Sequence, residues 1–224
     1  MIEIIPAILE TDFAEVEKKV ALVDGLTRHV QLDVCDGIFV PSKSWPYTAK
    51  EKTPTLLPPP GKVSFEIDFM TASVPLAGVD AWIAAGAKRF IFHVGSMPSM
   101  ELAKAIVRAN ELVQCGLAID LNTPTEALLP FLEEIAVVQF MGIEKVGYQG
   151  QEFAGERVLD KIRAFHGAHP EVPISVDGGV GLKNAKALVE AGASRLIVGS
   201  AIFGAKSAPQ NSVTENIAAF KKAV

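Results

Sequence analysis

Cysteine is scarce. Only Cys35 and Cys115 occur in 224 residues, in no paired metal or redox spacing, which points to a reducing compartment. No uninterrupted apolar run approaches the length of a membrane span. The opening MIEIIPAIL has no basic n-region, so no signal peptide is expected and a cytoplasmic location follows. Positive charge is also short. The formal net charge of −5 argues against a nucleic-acid partner, which would need a concentrated basic face. It does not exclude small anions, because backbone N–H groups can hold a phosphate without net positive charge. No Gly-x-Gly-x-x-Gly follows the first strand, where PAILETD stands instead. That weighs against a dinucleotide-binding fold and a nucleotide cofactor. Linker-like composition shifts and low-complexity tracts are missing too, so residues 1–224 read as one domain.

What is present is ordinary globular composition, 49% hydrophobic and 21% charged, with a recurring short pattern. DGLTRHVQLDV from Asp24, AGAKRFIFHV from Ala85 and AGASRLIVGS from Ala191 each run Gly, two residues, Arg, then an apolar stretch. Each follows a helical pattern. The glycine fits the left-handed end of a helix, and the Val/Ile/Phe run suits a strand. Further strands are expected at Glu3–Pro6, Val63–Asp68, Gly116–Asp120, Val137–Met141 and Ile174–Asp177. Helices are expected at Asp12–Val23, Pro75–Ala85, Ser99–Leu112, Thr125–Glu134, Glu156–Phe165, Leu182–Ala191 and Asn211–Lys222. Any helix in the proline-rich stretch from Pro41 to Gly61 must be short. About eight strands alternating with helices predict a parallel sheet closed as a (β/α)8 TIM barrel.

In such barrels the chemistry sits at the carboxyl ends of the strands. VQLDVCDGIFVPS, residues 30–42, carries Asp33 inside an apolar strand, because Val34 follows it. Charged side chains are rarely buried unless paired. Asp177 in ISVDGGV is similar, while Asp36-Gly37 reads as a turn. Glu66, Asp68, His93 and Asp120 fall near other strand ends. Gly178 and Gly179 after strand 7, and Gly199 and Ser200 after strand 8, suit a phosphate site built from backbone amides. KVGYQGQEF, with Gly147 and Gly150, is a third glycine-bearing loop, after strand 6, able to close as a lid.

The runs IIPAILETDF, LDVCDGIFVPS, GLAIDLNTPTEAL, VGYQGQEF, VDGG and EAGASRLIVGSAIFGAK resemble the ribulose-phosphate 3-epimerase family, in order along nearly the whole chain. The resemblance implies a (β/α)8 barrel that interconverts ribulose 5-phosphate and xylulose 5-phosphate. It implies Asp33 and Asp177 as acid and base on opposite faces of a phosphorylated sugar substrate. It also implies a divalent metal held by two aspartates and two histidines. His93, in FIFHV, reads by itself as a barrel-core histidine, and the resemblance keeps it as a secondary site candidate; Met141 is another. Such an epimerisation needs one base on each side of a planar enediolate, and a Lewis acid or fixed donors for its oxyanion.

This chain departs from the family pattern at three positions. Gln31 stands where the first metal histidine belongs, Asp68 where the second belongs, and Ala7 where a serine is usual. His29 would share the face of Gln31, one residue pair lower. A metal could still be held by Gln31, Asp33, Asp68 and Asp177, an all-oxygen set favouring Mg²⁺ or Mn²⁺ over Zn²⁺. Alternatively the metal is gone, and crowded carboxylates raise one another's pKa. Two other function classes stand beside the epimerase. One is a barrel that binds a phosphorylated ligand without catalysis. The other is a lyase, disfavoured because EIDFMT (66–71) lacks the decarboxylase lysine and Lys145 is the nearest Schiff-base candidate. Cys35 reads as a buried structural thiol, and Asp120 as a residue ordering the strand 5 loop. Trp45 and Tyr47 could line a pocket or a contact in a homo-oligomer.

Overall fold

A helix that must turn sharply into a strand needs a residue able to adopt positive φ at its end, and the Gly-x-x-Arg units supply it. Gly192 has φ 120°, and Gly25 and Gly86 are also positive. In the computed structural model, which describes residues 2–50, 57–58, 61–74, 76–148, 150–204 and 212–224, these units drive a regular alternation. The order is β1 (Glu3–Ile8), α1 (Phe13–Val23), β2 (His29–Cys35), β3 (Ser64–Met70), α2 (Leu76–Ala84), β4 (Ala87–His93), α3 (Ser99–Asn110) and β5 (Gln114–Ile119). A 3-10 helix (Thr125–Phe131), β6 (Val137–Met141), α4 (Glu156–Ala168), β7 (Ile174–Asp177), α5 (Leu182–Ala191), β8 (Arg195–Val198), α6 (Ser200–Phe203) and α7 (Val213–Ala223) follow. Every neighbouring pair of strands is parallel, and β1 pairs with both β2 and β8, so the sheet closes as an eight-stranded barrel.

Three expectations need correction. The helix expected over Thr125–Glu134 is a 3-10 helix ending at Phe131. Pro130 lies inside it and removes an α-helical N–H, so the tighter winding results. The strand expected to reach Asp120 stops at Ile119. The Asp120 carboxylate accepts the N–H groups of Asn122 (2.9 Å) and Thr123 (2.6 Å), ordering the loop as its sequence context suggests. The short α6 after β8 was not expected. The ends of two expected helices, Pro75 and Asn211, fall outside the described residues, as do 51–56 and 59–60 of the proline-rich stretch. Its described part forms no helix. Trp45 turns inward, against Phe13 (ring centroids 4.8 Å apart) and Trp82 (5.8 Å).

The strands bury both faces. Leu32, Val34, Phe69, Phe92 and Phe140 point outward into the shell between sheet and helices. The alternate residues fill the barrel. At its amino-terminal end Glu66, fully buried, takes Arg195 Nη2 at 2.6 Å and Arg89 Nη1 at 3.0 Å. Two of the three repeated arginines thus form a charged floor, with Ser175 Oγ 2.7 Å from Arg195 Nη1. Above it lie apolar groups, Ile5, Ala7 and Ile197 on one side and Ile91, Ala118, Val137 and Met141 on the other. A plugged floor leaves the carboxyl-terminal mouth as the open end.

Local capping supports the frame. Asp12 Oδ1 accepts the Ala14 N–H at 2.8 Å at the start of α1. Asp12→Ala should cost about 1 kcal/mol. That corresponds to a fall in Tm of roughly 2–4 °C, readable by calorimetry, with activity unchanged.

Candidate active site

Strand alternation sends Gln31 and Asp33 of β2, Asp68 of β3, His93 of β4, Gln139 of β6 and Asp177 of β7 into the barrel. Asp33 and Asp68 are opposite one another in register. Asp177 comes from the far side, across the mouth. The three carboxylates converge: one oxygen from each lies within 4.8 Å of the others. All are buried, at 7%, 0% and 8% exposure for Asp33, Asp68 and Asp177.

The partners of these carboxylates are amides and an imidazole. Gln31 Nε2 donates to Asp33 Oδ1 (2.8 Å) and to Asp177 Oδ2 (3.2 Å), bridging the two. His93 Nε2 lies 2.9 Å from Asp68 Oδ1, and Gln139 Nε2 donates to Asp68 Oδ2 at 3.1 Å. Among the described residues, no lysine or arginine pairs with any of the three. The electrostatic consequence is clear. Burial, then the Asp177 and Asp68 charges, push Asp33 well above the usual carboxylate range. Burial, then Asp68, raise Asp177 to about 7, against the smaller pull of the Gln31 amide. Burial and mutual repulsion thus favour the protonated forms of Asp33 and Asp177 more than in an exposed carboxylate.

Asp33 and Asp177 face one cavity, lined also by Ala7, Met141, Gly147, Gly150, Gly178, Gly179, Gly199 and Ser200. The glycines singled out after strands 6, 7 and 8 therefore meet at this mouth. Gln31 is joined to it by its hydrogen bonds to Asp33 and Asp177, and Asp68 stands beside Asp33 in register. His93 is a barrel-interior residue bonded to Asp68 and also part of the wall of a neighbouring cavity of about 490 Å³. His29 is not a stand-in for Gln31. It pairs with Glu3 at the floor.

Other residues resolve simply. Asp36 accepts the N–H groups of Ile38 (2.7 Å), Phe39 (3.0 Å) and Ala72 (2.8 Å), so it shapes a turn and ties two loops. Cys35 is buried, and its thiol is pushed up to about 12 chiefly by that burial, which leaves it inert. Lys145 is exposed on the loop after β6, as a Schiff-base lysine would not be.

Several residues were missed. Gln139 stands in VVQFM as a polar residue inside an apolar strand, the same signal that marked Asp33. Asn184 Oδ1 accepts the Gly181 N–H (2.9 Å) and its Nδ2 donates to Gly179 O (2.9 Å), bracing the glycine loop after β7. Gly142 N donates to Asp177 O at 2.6 Å, and a Cβ on Gly142 would lie 2.3 Å from Gly178 O. Only glycine permits that close approach, which fixes the backbone of Asp177.

The donor set fits a divalent cation. Three buried carboxylates carry more negative charge than two amides and one imidazole offset, and the buried Gln31 Oε1 has no partner. Asp33, Asp68 and Asp177 could hold such an ion, with the Gln31 amide oxygen as a fourth donor.

Fold and centre together define a (β/α)8 barrel enzyme of the acid–base kind, with buried carboxylates at the carboxyl-terminal mouth and glycine loops on one rim. The ribulose-phosphate 3 epimerase family model matches residues 3–203. The ribulose-phosphate 3-epimerase of Schizosaccharomyces pombe is 32% identical over 208 residues, covering 92% of this chain and 88% of that protein. That of Bacillus subtilis is 28% identical over 210 residues, covering 91% and 93%. The crystal structure of 3-hexulose-6-phosphate synthase from Salmonella typhimurium superposes with a TM-score of 0.68 at 14% identity, covering 99% of this chain and 97% of that one, a likeness of fold alone. The chain belongs to the ribulose-phosphate 3-epimerase family. That membership disfavours the non-catalytic alternative.

Proposed function

We propose that this protein is a sugar-phosphate 3-epimerase that interconverts ribulose 5-phosphate and xylulose 5-phosphate, with Asp33 and Asp177 as the two proton-transfer groups. The observation that carries this reading is the pair of aspartates facing one cavity and bridged by a single amide, Gln31. One ionised aspartate removes the proton beside the ketone. The resulting enediolate is planar. The opposite aspartate, protonated because burial and the neighbouring carboxylates raise its pKa, returns a proton to the other face. Gln31 keeps the two carboxylates in register across the ligand. A divalent ion held by Gln31, Asp33, Asp68 and Asp177 would supply a Lewis acid for the developing oxyanion, and the all-oxygen set favours Mg²⁺ or Mn²⁺ over Zn²⁺.

Backbone amides of Gly179, Gly199 and Ser200 suit the substrate phosphate, with Gly178 turned toward the Asp177 carboxylate. The enclosed space at the centre is only about 40 Å³. Ligand sites are typically several hundred Å³, roughly 300 or more. In this reading the loop carrying Gly147, Tyr148 and Gly150, which lines the cavity, serves as a lid over the substrate.

Gly179 has φ 67°, and a Cβ there would meet the Phe153 backbone at 2.7 Å. Gly179→Ala should raise KM for the phosphorylated sugar by about tenfold or more, a loss of roughly 1.4 kcal/mol in binding. Steady-state kinetics checks it. The function itself is tested by following ribulose 5-phosphate by NMR with Mg²⁺ or Mn²⁺ present. Formation of xylulose 5-phosphate is expected, and no conversion with either ion would overturn the reading.

A further inference from the structure

The third carboxylate, Asp68, is the least expected member of the centre. It is fully buried, it stands opposite Asp33 in register, and its charge raises the pKa of both other aspartates. A carboxylate in that position is free to swing or to repel its neighbours unless something holds it. Two side chains do. His93 from β4 reaches one oxygen at 2.9 Å, and Gln139 from β6 reaches the other at 3.1 Å. Both holders are themselves buried, at 2% and 0% exposure, so their rotamers are fixed by packing. Both lie on strands that contribute no other donor to the centre. Gln139 spends its N–H on Asp68 while its own Oε1 stays buried without a partner. That orientation is dictated by the carboxylate, which can only accept.

We propose that His93 and Gln139 are positioning residues that clamp Asp68, one oxygen each, as an anionic ligand and thereby set the affinity of the centre for a hard divalent cation. The proposal rests on the reading of this centre as a metal site. Outer partners of this kind orient a ligand and raise its basicity, and removing one costs metal affinity by about 10–100-fold. The clamp explains how a β3 carboxylate works where the family resemblance implies a histidine. A neutral imidazole would need one hydrogen-bond acceptor behind it, whereas a carboxylate takes the two donors found here.

The test is a Mn²⁺ titration of the metal-free protein by calorimetry, with the metal-free Tm recorded alongside. His93→Ala and Gln139→Met should each weaken Mn²⁺ binding about 10–100-fold. His93→Gln, which keeps an N–H donor, should recover most of the loss. Gln139→Met conserves volume, so it reports the missing donor even if His93→Ala folds poorly. In an Asp68→His background the same two substitutions should change Mn²⁺ affinity by less than about threefold, because the clamped group is gone. Wild-type affinity in both single variants, or equal losses with and without Asp68, would overturn the clamp. Wild-type protein that binds no Mn²⁺ would instead overturn the metal reading on which it rests.

Discussion

Asp177→Asn should lower kcat by roughly three orders of magnitude, within the range of about 10²–10⁴ carried by a positioned acid or base. KM should change little, because the cavity wall keeps its shape: Asn is isosteric, and Gly142 still fixes the backbone at this position through its 2.6 Å bond to Asp177 O. Asp33→Asn should behave alike. The two losses are not equivalent in stereochemistry. Each aspartate serves one face, so each variant should fail to release the C3 hydrogen of a different epimer while retaining slow release from the other. Tritium release measured separately from both epimers checks this. Equal, small losses in both variants would mean that neither aspartate is the proton carrier.

The second large effect concerns stability. Asp177 titrates near 7 in the fold against 3.8 when free, and Asp33 is raised in the same direction. The folded protein therefore holds more protons than the unfolded chain between these values. Stability from these groups is complete below the ordinary carboxylate pKa and is lost as pH rises through about 7 for Asp177. Metal-free protein should melt at lower temperature at pH 8 than at pH 5. Between pH 5 and 8 the change for Asp177 is roughly 3 kcal/mol, at about 1.4 kcal/mol for each unit between pH 5 and about 7. A divalent ion at 100 times its Kd should return roughly 2.7 kcal/mol at the alkaline end. Asp177→Asn should flatten the metal-free profile. Scanning calorimetry across pH, with and without Mn²⁺, reads all three. A metal-free Tm that rises from pH 5 to 8 contradicts the electrostatic account.

Much of this was legible before any coordinates. Periodicity and glycine position located the eight strands, because a helix end with positive φ and a β-branched run are local properties. Asp33 and Asp177 stood out because a charge inside an apolar strand violates the ordinary rule of burial. The glycines after strands 6, 7 and 8 marked one rim for the same reason: backbone freedom is visible one residue at a time. What could not be read was register. Nothing local says that His93 and Gln139 converge on Asp68, or that Arg89 and Arg195 share Glu66, because those meetings depend on how strands are staggered around the barrel. The repeated arginine was visible as a pattern but not as a floor. The 3-10 winding at Thr125–Phe131 escapes the sequence pattern for a simpler reason: apolar periodicity suggests an α-helix there, and Pro130 overrides it. The loop-ordering role of Asp120 is local and was legible.

The central claim is that two carboxylates act from opposite sides of one ligand. The most direct measurement is the deuterium content at C3 of both epimers early in a reaction run in D₂O. The account predicts deuterium in the product epimer and none in the residual substrate, because the acid that returns the proton exchanges with solvent while the base that took it faces the other side. Product that retains the original hydrogen would reveal a single carrier, and would contradict it.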